Sequence, residues 1–225
     1  MVLTPTRPST RLTRPAWLLV ATLPAYIAFV VLSATLLRPR VELGSAELTP
    51  DQIGELGPGW VAIALLWVLP PVLAAVGLAG IARGLPRTRL TRAVPYLGGL
   101  VTVLAVAYVA VHLLGIGAGT LTWGESPLFT TGFVLSLLIG WVGVHPASLL
   151  VLGTLVRAGI ARRTATVVGV IYVLYWAVEL LIYLPVLLGP GDLAGADAGL
   201  PPFLLGFFWA AVGGALLRTG VPSAE

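Results

Sequence analysis

A chain of 225 residues with 58% apolar and only 10% charged side chains cannot build a water-facing surface, because a soluble domain carries about 25% charged residues. The absence of cysteine excludes disulfides, iron–sulfur clusters, thiolate metal sites and thiol nucleophiles. The thirteen basic residues are all Arg; despite a net charge of +4 and a pI near 10, they cluster at the ends of apolar runs, which points to topology anchors and anionic lipid rather than to nucleic acid.

Residues 1–14 form a polar tail carrying Arg7, Arg11 and Arg14, followed by the first apolar run at 15–37. Arginines ahead of an apolar stretch also open secretory signals. This run is longer than the roughly 7–15 residues of a signal core and has no clean small-x-small cleavage site, so a retained helix is expected. In the loop at 38–58, Thr49-Pro50-Asp51-Gln52 fits a capping box with Pro at the first helical position. Ile53 and Leu56 supply an apolar side and Gly57-Pro58-Gly59 a stop, which predicts a short surface helix, a structured linker rather than a binding lid.

Further apolar runs lie at 59–81, 94–116, 129–155 and 166–188, with a shorter one at 202–217 and a polar tail at 218–225. Each is near or above the ~20 residues a helix needs to cross a bilayer core, apart from the last. Lipid offers backbone groups no partners, which excludes open sheets, and the runs lack the alternation of a membrane barrel. The fold class that follows is all-α: a polytopic transmembrane bundle of six helices over 15–217.

Short Arg-rich loops stay on the cytoplasmic side. Eleven of the thirteen Arg fall on one side: Arg7, Arg11, Arg14, Arg83, Arg87, Arg89, Arg92, Arg157, Arg162, Arg163 and Arg218. The other side holds Arg38 and Arg40 with Glu42, Glu47, Asp51, Glu55, Glu125, Asp192 and Asp197. Both termini are therefore expected in the cytoplasm. Arg without Lys, and the dominance of Ala, Gly, Val, Pro and Leu, suggest a GC-rich coding sequence and hence a bacterial plasma membrane.

A gap-free shift of 76 residues aligns the second and third runs with the fourth and fifth, pairing Pro70 with Pro146, Gly77 with Gly153, Val94 with Val170 and Tyr96 with Tyr172. Parallel repeats occur in transporters, and a chain built from few residue types also produces such matches by accident. Pro70-Pro71 and Pro146 are expected to interrupt the second and fourth helices. Gly77, Gly80, Gly213 and Gly214 are expected to admit close helix approach.

Glu179 is the one acidic residue inside an apolar run, and a carboxylate placed in lipid costs roughly 2.5 kcal/mol or more. Tyr172, Tyr175, Trp176 and Tyr183 share its helix face. A carboxylate among π-faces and phenols suits an organic cation or a proton-exchanging group; its bland counterpart is a Glu tied to a Tyr or His of a neighbouring helix. His112 shares a face with Tyr108, and His145 with Trp141 and Ser148. Counting along the helices sets the two His roughly 15 Å apart in depth, so one metal or haem cannot readily use both, whereas His145 and Glu179 lie close enough for a proton relay.

No phosphate-binding loop, His-Glu-x-x-His pair, Gly-x-Ser-x-Gly elbow or intramembrane Asp pair is present, so neither an enzyme nor a cofactor or metal is expected. The layout resembles small six-helix bacterial membrane proteins of unknown function: an Arg-bearing start, an acidic outer loop after the first helix, a His late in the fourth (His145), and a basic turn, Arg157-Ala-Gly-Ile-Ala-Arg162-Arg163. That resemblance implies the fold and no activity. Two functions are expected: binding or moving a small cationic or proton-linked ligand around Glu179, or serving as a non-transporting partner of another membrane protein. Membrane lipids are partners in either case.

Overall fold

The computed structural model describes residues 10–37, 55–118, 127–188 and 203–219. They are helical almost throughout: α1 (Thr10–Leu37), α2 (Pro58–Gly84), α3 (Arg89–Ala118), α4 (Pro127–Leu138), a π-helical turn (Ile139–Val144), α5 (His145–Ala158), α6 (Arg162–Leu188) and α7 (Phe203–Thr219). α4, the π turn and α5 run on without a break as one rod, so six rods correspond to the six apolar runs. The Thr49-Pro50-Asp51-Gln52 capping box lies outside the described residues; at its edge Leu56 is buried, and Gly57 precedes Pro58 at the start of α2.

Five rods are long and apolar enough to cross a membrane. α7, with 17 residues, is shorter, about 26 Å at 1.5 Å per residue. It nevertheless packs antiparallel along α1: Gly206 meets Leu23 and Tyr26, and Gly213 meets Ala16 and Leu19. The rods close a ring in chain order, α1 on α2, α2 on α3, α3 on the fourth rod, that rod on α6, α6 on α7, and α7 back on α1, while α2 also touches the fourth rod across the middle. This is an all-α bundle of a multi-pass membrane protein. Leu19, Ile81, Val101, Val151, Leu155 and Tyr172 are sealed within it, whereas Val103, Val106, Leu114, Leu174 and Leu181 stand more than 60% exposed. Apolar residues bared to that extent require lipid around them.

Several helix ends differ from their sequence expectation for local reasons. α3 begins at Arg89 rather than 94 because Thr88 and Thr91 cap it reciprocally, the Thr91 N–H donating to Thr88 Oγ1 at 3.1 Å and the Thr88 N–H to Thr91 Oγ1 at 2.8 Å. α5 stops where Gly159 adopts φ 71° and its N–H reaches the last carbonyls, leaving Arg162 to start α6. Pro70-Pro71 do not interrupt α2, which stays α-helical from Pro58 to Gly84. Helices packed on both sides of α2 hold the turn that loses its N–H groups. The ends of the rods carrying Arg14, Arg83, Arg87, Arg89, Arg92, Arg157, Arg162, Arg163 and Arg218 gather on one side of the bundle, and all nine side chains are exposed.

Gly77 and Gly80 do admit close approach, to Leu19 and Pro15 of α1, and Gly213 lies against the Ala16 carbonyl. Gly214 does not; a Cβ there would meet nothing within 4 Å, because it sits one residue, or 100°, further round the helix. Positions matched by the 76-residue shift fall in opposed surroundings. Tyr96 is 81% exposed and Tyr172 fully buried, Val94 is buried and Val170 exposed, and Gly77 is packed where Gly153 faces open space.

Candidate functional site

The fourth rod changes register just before its histidine. The His145 N–H bonds to the Gly140 carbonyl, five residues back, and the next residue, Pro146, has no N–H to offer the preceding turn. The expected interruption at Pro146 thus takes the form of a widened turn. Such turns cluster at functional sites because they re-aim one side chain. Here that side chain is His145: a Cβ on Gly140 would stand 3.3 Å from its Nε2, so glycine leaves room for the imidazole.

The imidazole is held at both nitrogens by α6. Nε2 is 2.9 Å from Glu179 Oε2, and Nδ1 is 3.0 Å from the Tyr172 hydroxyl. The His145 side chain is 2% exposed and that of Glu179 14%, so the carboxylate forms the more open end of the pair. Trp176 stacks on the imidazole at 5.5 Å and Tyr172 meets it edge-on at 5.4 Å. The Tyr175 ring lies 6.3 Å from the imidazole and edge-on to Phe208 of α7. The Tyr175 hydroxyl is a neighbour of the Glu179 carboxylate, yet its oxygen accepts no hydrogen bond, and the Trp176 indole N–H is buried without a partner.

Behind this pair a second polar contact ties α5 to α7. The Trp209 indole N–H donates to Ser148 Oγ at 3.1 Å, and both are neighbours of the Tyr172 hydroxyl. Trp209 in turn stacks on Tyr26 of α1 at 6.4 Å. Sequence patterning missed Trp209, Phe208, Tyr26 and Gly140, since nothing local links them to Glu179; the run Phe207-Phe208-Trp209 in a short apolar helix was the only signal.

Of the residues expected at the site, His145, Tyr172, Tyr175, Trp176 and Glu179 come together. Tyr183, one turn further along α6, faces Phe133 and Trp141 instead. Tyr108 and His112 belong to a separate cluster with Trp60: His112 Nδ1 lies 2.8 Å from the Tyr108 carbonyl, its ring 4.1 Å from that of Tyr108 and 6.1 Å from Trp60, and Gly132 leaves space beside it. Among the described residues no three His, Asp or Glu side chains converge as a metal would need.

Chemically, the pair can carry one exchangeable proton. As imidazolium, His145 donates from Nε2 to Glu179 and from Nδ1 to the Tyr172 oxygen. As neutral imidazole it keeps the bond to Glu179, and the Tyr172 hydroxyl turns to donate to Nδ1. Neither state leaves a ring nitrogen without a partner. No family model, curated protein or solved structure matches the chain.

Proposed function

We propose that this chain, oriented with both ends in the cytoplasm of a bacterial plasma membrane, binds and moves a small organic cation at Glu179 in exchange for a proton carried by His145. The observation that carries this reading is the 2.9 Å contact between His145 Nε2 and Glu179 Oε2 inside an apolar bundle. A lone charge there is costly, so the site favours states in which the carboxylate is balanced. Imidazolium balances it in one state and a ligand cation in the other. When the cation arrives, His145 loses its extra proton to water, and the net charge of the site stays constant.

The surroundings support exchange over a purely structural tie. The carboxylate is the more exposed partner, aromatic rings flank the imidazole it meets, and the Tyr172 hydroxyl serves both protonation states of that imidazole. An accessory subunit without a ligand of its own would instead present its aromatic stripe to a partner, and Tyr172 and Tyr175 are turned inward.

The test uses purified protein in weakly buffered detergent with a pH-indicator dye, titrated with benzylammonium, benzyltrimethylammonium and guanidinium. Saturable release of about one proton per bound cation is expected, lost in Glu179→Gln. No saturable release with any of the three overturns the reading.

A further inference from the structure

Buried polar groups in folded proteins almost always have partners, so one that lacks a partner beside a charged group marks a position a ligand can fill. The Tyr175 hydroxyl is such a group. Its residue is 5% exposed, it neighbours the Glu179 carboxylate one turn along α6, and its oxygen accepts no hydrogen bond. Tyr172, a second phenol on this face, is already engaged by His145, and Tyr183 is turned to Phe133 and Trp141.

We infer that Tyr175 and Glu179 form a two-point acceptor for a cation bearing N–H groups, so that the ligand is a primary or secondary ammonium rather than a quaternary one. This rests on the exchange reading above and names its ligand class. The ammonium donates one hydrogen bond to the carboxylate and a second to the Tyr175 oxygen, while the phenolic hydrogen is free to turn to the carboxylate. A quaternary ammonium keeps the charge but has nothing to donate, so it leaves the buried phenolic oxygen without a donor. Its only attraction is electrostatic, and the Trp176 and Tyr175 rings supply that part equally to both kinds of cation.

Binding displaces the proton of His145, so the groups that face the pair matter. On α6 they are Tyr172 and Tyr175, and from α1 Tyr26. All are phenols, and none replaces the imidazolium as a positive charge; the displaced proton leaves to water.

The experiment compares benzylammonium with benzyltrimethylammonium, read by proton release and by tryptophan fluorescence in the wild type, Tyr175→Phe and Glu179→Gln. The wild type is expected to prefer benzylammonium about tenfold or more, the worth of a hydrogen bond to a charged group. Tyr175→Phe should bind the quaternary cation as before and bind benzylammonium several-fold more weakly, keeping only the part of the preference that comes from the carboxylate, and Glu179→Gln should lose both cations. Because the deleted hydroxyl ties α6 to no other helix, Tyr175→Phe should keep the helicity and melting midpoint of the wild type. If both cations release a proton with equal affinity, or the preference is undiminished in Tyr175→Phe, this inference falls and the exchange reading stands. If neither of these cations nor guanidinium releases a proton, the exchange reading itself falls.

Discussion

His145 of α5 and Glu179 of α6 meet at 2.9 Å, and the meeting depends on a widened turn that the fourth rod makes just before the histidine. Removing one partner of such a pair costs more than weakening it. His145→Ala should lower stability by about 2–4 kcal/mol, toward the low end of the range for buried pairs because Glu179 keeps some access to the outside. Glu179→Gln retains an acceptor for Nε2–H and should cost about 1 kcal/mol or less. Unfolding in mixed micelles followed by circular dichroism separates the two; equal losses would show that charge plays no part in the pairing.

Gly140 sets the position of the imidazole. Gly140→Val sets a branched side chain against Nε2 and should push the ring off the carboxylate, ending the cation-linked proton release proposed for this site. Gly140→Ala asks the imidazole to give only a few tenths of an ångström and should change stability by less than about 1 kcal/mol. The imidazole nitrogen shifts of labelled His145 report the outcome directly, and an unaltered spectrum in Gly140→Val would refute this role.

The Trp209–Ser148 hydrogen bond ties α7 to α5 behind the site. Trp209→Phe and Ser148→Ala should each cost about 1–2 kcal/mol, and the double variant should fall short of their sum by about 0.5–1.5 kcal/mol. Simple additivity in the thermal midpoints would mean the bond contributes nothing.

Two adjacent glycines of α7 should respond in opposite directions. Gly213→Ala drives a methyl group to 2.6 Å from the Ala16 carbonyl and should cost about 1–3 kcal/mol by forcing α7 away from α1. Gly214→Ala meets open space and should gain up to about 1 kcal/mol from helix propensity alone. Melting curves of the two variants decide it.

Because the chain has no cysteine, single introduced thiols report sidedness without background. Glu55→Cys should react with an impermeant maleimide on intact cells, and Pro86→Cys, in the arginine-flanked turn, only after the membrane is opened. The reverse pattern would invert the bundle.

The number of helices and the side on which the arginines gather were legible in the sequence, because bilayer thickness and the cost of moving Arg across it act on each segment separately, whereas the helix ends were set by local caps. Glu179 and its aromatic face on α6 were legible for the same reason, as neighbours three, four and seven residues apart on one helix share a face whatever surrounds it. Which residues of other helices meet that face was decided by tertiary structure. The register shift before His145 and the rotation of each rod about its axis brought His145, Ser148, Trp209 and Phe208 to α6, and sent Tyr108 and His112 to a separate cluster with Trp60. A rotation of 100° per residue separates a packed Gly213 from an open Gly214, and a sealed Tyr172 from the bare Tyr96 that matches it in the chain. Composition has no hold on that angle, which is fixed only when all six rods pack together.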